Sequence, residues 1–244
     1  MVGQAANTRN TLNTALSVTG DGVVAQEEQE SQKPLLRGYL HAGAAVAALV
    51  ATVALAILSA GDRPKQISLL VYGASSILLF GWSAFYHLGH WSPRVRAAFR
   101  RVDHANIFVL IAGTYTPMAF NLLTGWPRIL LLATIWGLAA LGMAAAAPAL
   151  RIPRQVLAGL YVAMGWVAVA FIPQIVAAVG VGAVLLLALG GMLYTVGALA
   201  YAFRWPNIWP RVFGYHEVFH LATILAAGAF FVFMLTQVLP FVRR

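Results

Sequence analysis

The sequence contains no cysteine and very little charge. Without cysteine among its 244 residues, disulfide bonds, thiolate metal ligands and a cysteine nucleophile are all excluded. Charged residues make up 9% of the chain and hydrophobic residues 61%, which excludes an ordinary soluble domain. Acidic residues are especially scarce, since only Asp103 and Glu217 follow residue 62.

Apolar runs of roughly 20 residues occupy most of the chain, and this length crosses ~30 Å of hydrocarbon. The sequence therefore predicts an all-α integral membrane protein, a seven-transmembrane helix bundle in residues 35–244. The predicted spans are about 38–60, 67–89, 101–123, 127–147, 155–177, 182–203 and 211–239. Six spans is the competing count, because only residues 179–182 separate the fifth span from the sixth. Residues 1–34 are polar and aperiodic, and we expect a disordered cytoplasmic tail there.

The excess of basic residues is interpreted through topology. The net charge is +9, and a seven-span arrangement places eleven Lys and Arg residues on one side and five on the other. Because positive residues accumulate in cytoplasmic loops, the N-terminus is expected to be cytoplasmic and the C-terminus outside. Topology therefore accounts for the high pI, and we expect no nucleic-acid partner.

Several ionisable side chains fall within or at the ends of predicted spans, where they are costly and usually functional. His87 ends span two, Asp103 begins span three, and His216 and His220 begin span seven. In an alternating bundle, even-numbered spans end on the face where odd-numbered spans begin. The four side chains are therefore expected at one membrane face, which the charge bias makes cytoplasmic.

These residue types suit a hydrolytic metal centre. His216 and His220 are four residues apart and share one helix face, so both imidazoles can reach one ion. Three neutral imidazoles around Zn²⁺ leave a fourth position for a water whose pKa can fall to about 7. Asp103 is expected to orient that water, to take its proton, or to hold an imidazole. Ser83 lies one helical turn before His87 and is a candidate hydrogen-bond donor to an oxyanion or to the water.

Three motifs resemble those of the hemolysin III family, the bacterial branch of the progestin and adipoQ receptor superfamily, which is distantly related to alkaline ceramidases. They are Ser83-Ala-Phe-Tyr-His87, Asp103-His-Ala-Asn-Ile107 and His216-Glu-Val-Phe-His220. The resemblance covers residues 37–239. It implies a bacterial cell membrane location and a zinc ion held by His87, His216 and His220. It also implies that Asp103 and Ser83 contact the zinc-bound water.

Other interpretations of the same residues stay open. His216-Glu-Val-Phe-His220 also matches the H-E-x-x-H pattern of zinc proteases, with Glu217 as general base. We favour an interfacial role for Glu217, paired with Arg211 or Arg101. His41, at the start of span one, lies on the same face as the predicted metal and is kept as a secondary candidate. His90 and His104 are expected to be structural or interfacial.

The leading functional hypothesis is zinc-dependent hydrolysis of a lipid amide or ester, by analogy with the ceramidase-like relatives that the resemblance implies. A membrane lipid is then the expected substrate or ligand, and the sequence predicts no particular oligomeric state. The alternative is a receptor-like or membrane-homeostasis protein with a structural zinc. A lytic pore is the third reading, and it is disfavoured because spans four to six offer almost no ionisable residues to line an aqueous path.

Overall fold

The structure, a computed structural model, describes residues 36–146, 152–209 and 212–243, and within these ranges seven helices are long and apolar enough to cross a membrane. They are α1 (Tyr39–Leu58), α2 (Arg63–Leu88), α3 (Pro93–Leu122), α4 (Gly125–Ala145), α5 (Arg154–Val179), α6 (Val181–Phe203) and α7 (Tyr215–Val238). The seven-helix prediction is confirmed. The predicted tail, residues 1–34, lies outside the described residues.

Two helices begin earlier than predicted. Helix α2 begins at Arg63 because Asp62 caps it, accepting a hydrogen bond of 3.1 Å from the backbone N–H of Lys65. Helix α3 begins at Pro93 instead of near residue 101, since proline is well suited to a first helical turn. At 30 residues it is about 45 Å long, so its first turns extend beyond the ~30 Å hydrocarbon layer that the hydropathy pattern detects.

Helices α5 and α7 also depart from the prediction. The continuous helix predicted for span five is α-helical at both ends but a 3₁₀-helix over Trp166–Phe171. Gly180 separates α5 from α6 with a φ of 82°, a conformation that favours glycine, and this break supports seven spans over six. Helix α7 begins at Tyr215, four residues later than predicted, because Trp209 and Phe213 form an isolated bridge in the preceding loop.

Helix α3 forms the centre of the bundle. Of its membrane-spanning window 67% is buried, against 22% for α1 and for α4. It packs against α2 on one side and α4 on the other, and α6 packs against α7. The main core joins Phe108 and Ala112 of α3 to Leu131 and Ile135 of α4 and to Phe233 of α7. Asp103 is thereby held near the axis of the bundle.

Candidate metal centre

Three histidines from two helices meet at one end of the bundle. His87 is in the last turn of α2, while His216 and His220 are in the first turns of α7. One ring nitrogen from each lies within 4.8 Å of the others, and the Nε2 atoms of His87 and His216 are 3.2 Å apart. The convergence of these three histidines that the alternating topology predicts is therefore present, and their side chains meet between the end of α2 and the start of α7.

The donor set fits a metal ion. Two nitrogens bound to the same tetrahedral zinc at 2.0–2.1 Å are separated by about 3.3 Å, close to the distance between His87 Nε2 and His216 Nε2. The Nδ1 atom of His220 is buried and has no hydrogen-bond partner among the described residues. A buried imidazole nitrogen without a hydrogen-bond partner is costly. The described residues leave this nitrogen of His220 unsatisfied, as expected for a side chain that binds an ion.

Asp103 and Ser83 lie together at the same end of the bundle as this cluster. Asp103 is 7% exposed and Ser83 1% exposed, and the two side chains interact. Both line a cavity that also reaches His220. A buried carboxylate that has no cationic partner among the described residues, in a cavity that His220 also lines, is an arrangement that general acid–base chemistry uses.

The cavity runs from the histidine end of the bundle toward the middle of the membrane. Its empty volume is about 840 Å³, including its open mouth. Along α3 its lining extends from Asp103 to Tyr115, a distance of about 18 Å at the helical rise per residue. The deeper wall is mostly apolar and aromatic, with Tyr115, Trp166 and Phe230 among the lining residues. This shape suits an extended hydrocarbon chain whose polar end lies near Asp103.

His41 lies against the cluster without joining it. Its ring stacks on the ring of His220 with centroids 3.7 Å apart and an interplanar angle of 10°. It also lines the cavity and is 2% exposed. Its contact with the His220 backbone falls short of hydrogen-bond geometry, so both ring nitrogens are unpartnered within the described residues.

Glu217 is held by an arginine that the sequence analysis did not select. Its carboxylate accepts hydrogen bonds of 2.9 Å from Arg37 Nε and from the backbone N–H of Gly214. Arg37 precedes α1. Because Arg37 is the partner, the expected pairing of Glu217 with Arg101 is wrong. Arg211, the other expected partner, lies outside the described residues. Glu217 caps the N-terminus of α7 and is fully buried, which favours the structural over the protease interpretation.

The contact between the segment before α1 and the end of α2 is close. Gly38 has a φ of 91°, and a Cβ placed on it would lie 3.0 Å from the Cβ of His87. Glycine is therefore required at this point for two independent reasons. No sequence signal identified Arg37, although the interfacial role favoured for Glu217 did include an arginine partner.

The two remaining histidines have separate surroundings. His104 Nε2 is 3.2 Å from the hydroxyl of Tyr201, and its backbone carbonyl accepts a hydrogen bond from Tyr161. His90 is exposed in the loop between α2 and α3. Neither belongs to the three-histidine group, in line with the structural or interfacial roles expected for them.

Fold and site together define a polytopic helical membrane protein with a three-histidine cluster able to hold a metal ion. Comparison with known proteins makes this class specific. The family model described as Haemolysin-III related matches residues 29–231, and the chain belongs to that family. It is a multi-pass bacterial membrane protein, as expected from the resemblance.

Two relatives are similar over most of their length. "Hemolysin-3" of Bacillus cereus is 35% identical over 181 residues, which cover 74% of this chain and 79% of the relative. "Hemolysin-3 homolog" of Bacillus subtilis (strain 168) is 30% identical over 174 residues, covering 70% and 77% respectively.

Proposed function

We propose that this protein is a membrane-embedded, zinc-dependent hydrolase that cleaves an amide or ester bond of a membrane lipid. The observation that carries the proposal is that His220 of the three-histidine cluster and the buried carboxylate of Asp103 line the same apolar cavity. A soluble substrate would have no use for a cavity of this lining inside a transmembrane bundle. A lipid can place its acyl chain there and present its carbonyl group to the cluster.

His87, His216 and His220 are the residues that would hold the ion. Nitrogen donors without thiolates are compatible with zinc. When bound, zinc supplies a Lewis acid and activates water at neutral pH. The ion pair between Arg37 and Glu217 fixes the start of α7, and thereby orients the two histidines of that helix.

The remaining steps belong to Asp103, Ser83 and the cavity wall. A carboxylate oxygen of Asp103 accepts the proton of the attacking water and passes it to the leaving amine or alcohol. The hydroxyl of Ser83 donates a hydrogen bond to the oxyanion that develops on the substrate carbonyl. The apolar wall excludes bulk water, so that these polar interactions act at low dielectric.

The test is an Asp103→Asn variant, which keeps the size of the side chain but cannot accept the proton. Release of fatty acid from an N-acyl lipid in detergent micelles should fall by at least about 100-fold, the usual contribution of a general base. Zinc content, measured by mass spectrometry, should stay at one per chain. Asp62→Asn, at the opposite end of α2, is the matched control and should keep wild-type turnover. Full activity in Asp103→Asn would remove Asp103 from the mechanism.

One observation also favours a second candidate, a receptor-like protein with a structural zinc. The cluster joins the end of α2 to the start of α7, 129 residues apart in the sequence, and an ion there would fasten the two helices together. In that case chelation should lower the melting temperature, while zinc-loaded wild-type protein releases no fatty acid from amide- or ester-linked lipids. Turnover that chelation abolishes and zinc restores supports the hydrolase.

A further inference from the structure

Two arginines lie at the same end of the bundle as the histidine cluster, and both act on Tyr201. Arg154 begins α5 and its guanidinium lies over the ring of Tyr201, 5.3 Å from the centroid. Arg100 of α3 precedes His104 by one helical turn and interacts electrostatically with both His104 and Tyr201. We call Arg100 and Arg154 the arginine rim. Both converge on Tyr201, whose ring is 6.1 Å from that of His216.

Tyr201, which both rim arginines approach, is close in the fold to residues that line the cavity. Ala198, one helical turn before Tyr201 on α6, lines the cavity, as does Tyr161 of α5. Tyr161 also donates a hydrogen bond to the backbone carbonyl of His104. A molecule with one chain in the cavity therefore has its polar end between the histidine cluster and the rim.

The protein supplies the rim with no counter-charge in the part that the structure describes. That part contains three acids. Asp62 pairs with Lys65 and Arg243 at the other membrane face, and Glu217 pairs with Arg37. Asp103 is buried in the cavity beside Ser83.

Arg154 carries the sharper sign of a missing partner. Its Nε atom is buried and forms no hydrogen bond within the described ranges. An arginine that serves only to set topology can remain fully hydrated. The Nε–H of Arg154 is instead buried away from water. The cost of that desolvation is recovered when an anion accepts the hydrogen bond.

We propose that the arginine rim binds the phosphate of an anionic lipid headgroup, so that the substrate of this site is an acylated lipid with a phosphate-bearing headgroup. The inference rests on the proposed hydrolase function and names its substrate class. Guanidinium groups suit this ligand, because their paired N–H donors match two phosphate oxygens. Tyr201 fixes Arg154 by stacking and so reduces the entropy lost when the headgroup binds.

The experiment measures binding without turnover, so it is independent of whether the bond is cleaved. Zinc-loaded full-length protein is titrated with phosphatidylglycerol or with phosphatidylcholine in detergent, and lipid adducts are counted by native mass spectrometry. Wild type should prefer phosphatidylglycerol. Arg100→Gln and Arg154→Gln should each reduce that preference about fivefold, the effect of one cation near an anionic headgroup.

Two further variants separate a built site from general surface charge. Arg94→Gln removes an exposed arginine from the same end of α3 and should leave the preference unchanged. Arg154→Lys keeps the charge but loses the paired N–H donors and the stacking on Tyr201, so it should lose most of the preference that Arg154→Gln loses, whereas full retention would reduce the role of Arg154 to its charge and overturn the built site. Unchanged zinc content and monodisperse elution show that each variant is folded. Equal losses in the Arg94, Arg100 and Arg154 variants would mean general electrostatic attraction and would overturn the proposal.

Two controls identify the occupant. Glycerol phosphate, which has the headgroup chemistry without acyl chains, should bind far more weakly than phosphatidylglycerol, and equal affinity would indicate a soluble phosphate ligand instead. Four acids precede the described residues and could compete for the rim, namely Asp21, Glu27, Glu28 and Glu30. A lipid preference that emerges only when all four are changed to the corresponding amides would assign the rim to the chain itself and overturn the lipid assignment.

Discussion

His220 is the most enclosed histidine of the cluster, with 1% of its surface exposed, and its ring contacts those of His87, His216 and His41. We predict that His220→Ala lowers zinc content from one ion per chain to a small fraction. Two imidazoles from different helices hold zinc far less tightly than three, because the third ligand completes the protein part of a tetrahedral site. The measurement is zinc per chain after exhaustive dialysis of the purified variant.

His104→Ala is the matched control for this prediction. His104 lies in the same part of the membrane but is hydrogen-bonded to Tyr201 and lies outside the three-histidine group. Its replacement should leave zinc content unchanged. If His220→Ala retained a full zinc equivalent, the assignment of the three histidines as ligands would be wrong.

The sequence predicted some residues of the site and missed others for physical reasons. The spacing of His216 and His220 places them on one helix face, and alternation of the helices brings His87 to the same end. The ion pair of Glu217 with Arg37 was missed because the two residues are 180 positions apart and Arg37 lies before the first helix. The spacing of residues carries no information about such a contact.

The C-terminal end of α7 is held by the side chain of Lys65, which lies at the start of α2. Over Met234–Val238 it widens into a π-helix, and beyond it Lys65 Nζ donates to the carbonyls of Leu239 and Phe241 at 2.8 and 2.7 Å. Carbonyl groups at a helix end have no partner within the helix, and no water satisfies them where they are buried. Lys65 is itself buried, with 7% of its surface exposed.

We predict that Lys65→Met lowers the melting temperature of the purified protein by about 5 °C, since two carbonyl groups lose their donor. Arg63→Met is the control, because it removes the same charge from an exposed position two residues away. It should shift the melting temperature by less than about 1 °C. Equal shifts in both variants would mean that the loss of charge, and not the cap, is responsible.

The carboxylate of Asp62, next to the start of α2, also binds the segment that follows α7. Burial acts to raise the pKa of Asp62, but the backbone N–H of Lys65 and the guanidinium of Arg243 together bring it below its usual value. Asp62 therefore stays ionised at neutral pH, and its ion pair with Arg243 holds the C-terminal segment against the start of α2.

The sequence predicted the number and the order of the helices. It did not predict the residues at which some of them begin, or the 3₁₀ segment within α5. Hydropathy detects the part of a helix that lies in hydrocarbon, so the first turns of α3, which carry Arg94 and Arg96, were missed. The 3₁₀ segment Trp166–Phe171 has no proline or glycine inside it that would indicate a break. The hydroxyl of Tyr115 on α3 accepts a hydrogen bond from the backbone N–H of Ala168 and donates one to the carbonyl of Gly165, a contact with this segment that local sequence does not encode.

For the whole molecule, the sequence predicted a seven-helix bundle but not which helices are neighbours. The apolar runs gave the number of crossings, and their alternation gave the face at which each helix ends. That α3 occupies the centre follows from its burial, which no hydropathy profile separates from contact with lipid. In a membrane both environments are apolar, so the usual distinction between core and surface is weak.

The orientation of the bundle in the membrane is the remaining property of the whole molecule, and the distribution of charge predicts it. Eleven Lys and Arg residues on the side of the histidine cluster, against five on the other, predict that the cluster faces the cytoplasm. Because the chain has no cysteine, a single introduced cysteine reports its own position without background. His90 and Thr124 are exposed residues in loops at opposite ends of α3. In intact cells a membrane-impermeant maleimide should label Thr124→Cys, but it should label His90→Cys only after the membrane is permeabilised. The reverse pattern would place the histidine cluster and the arginine rim outside the cell, where a substrate would have to come from the outer leaflet.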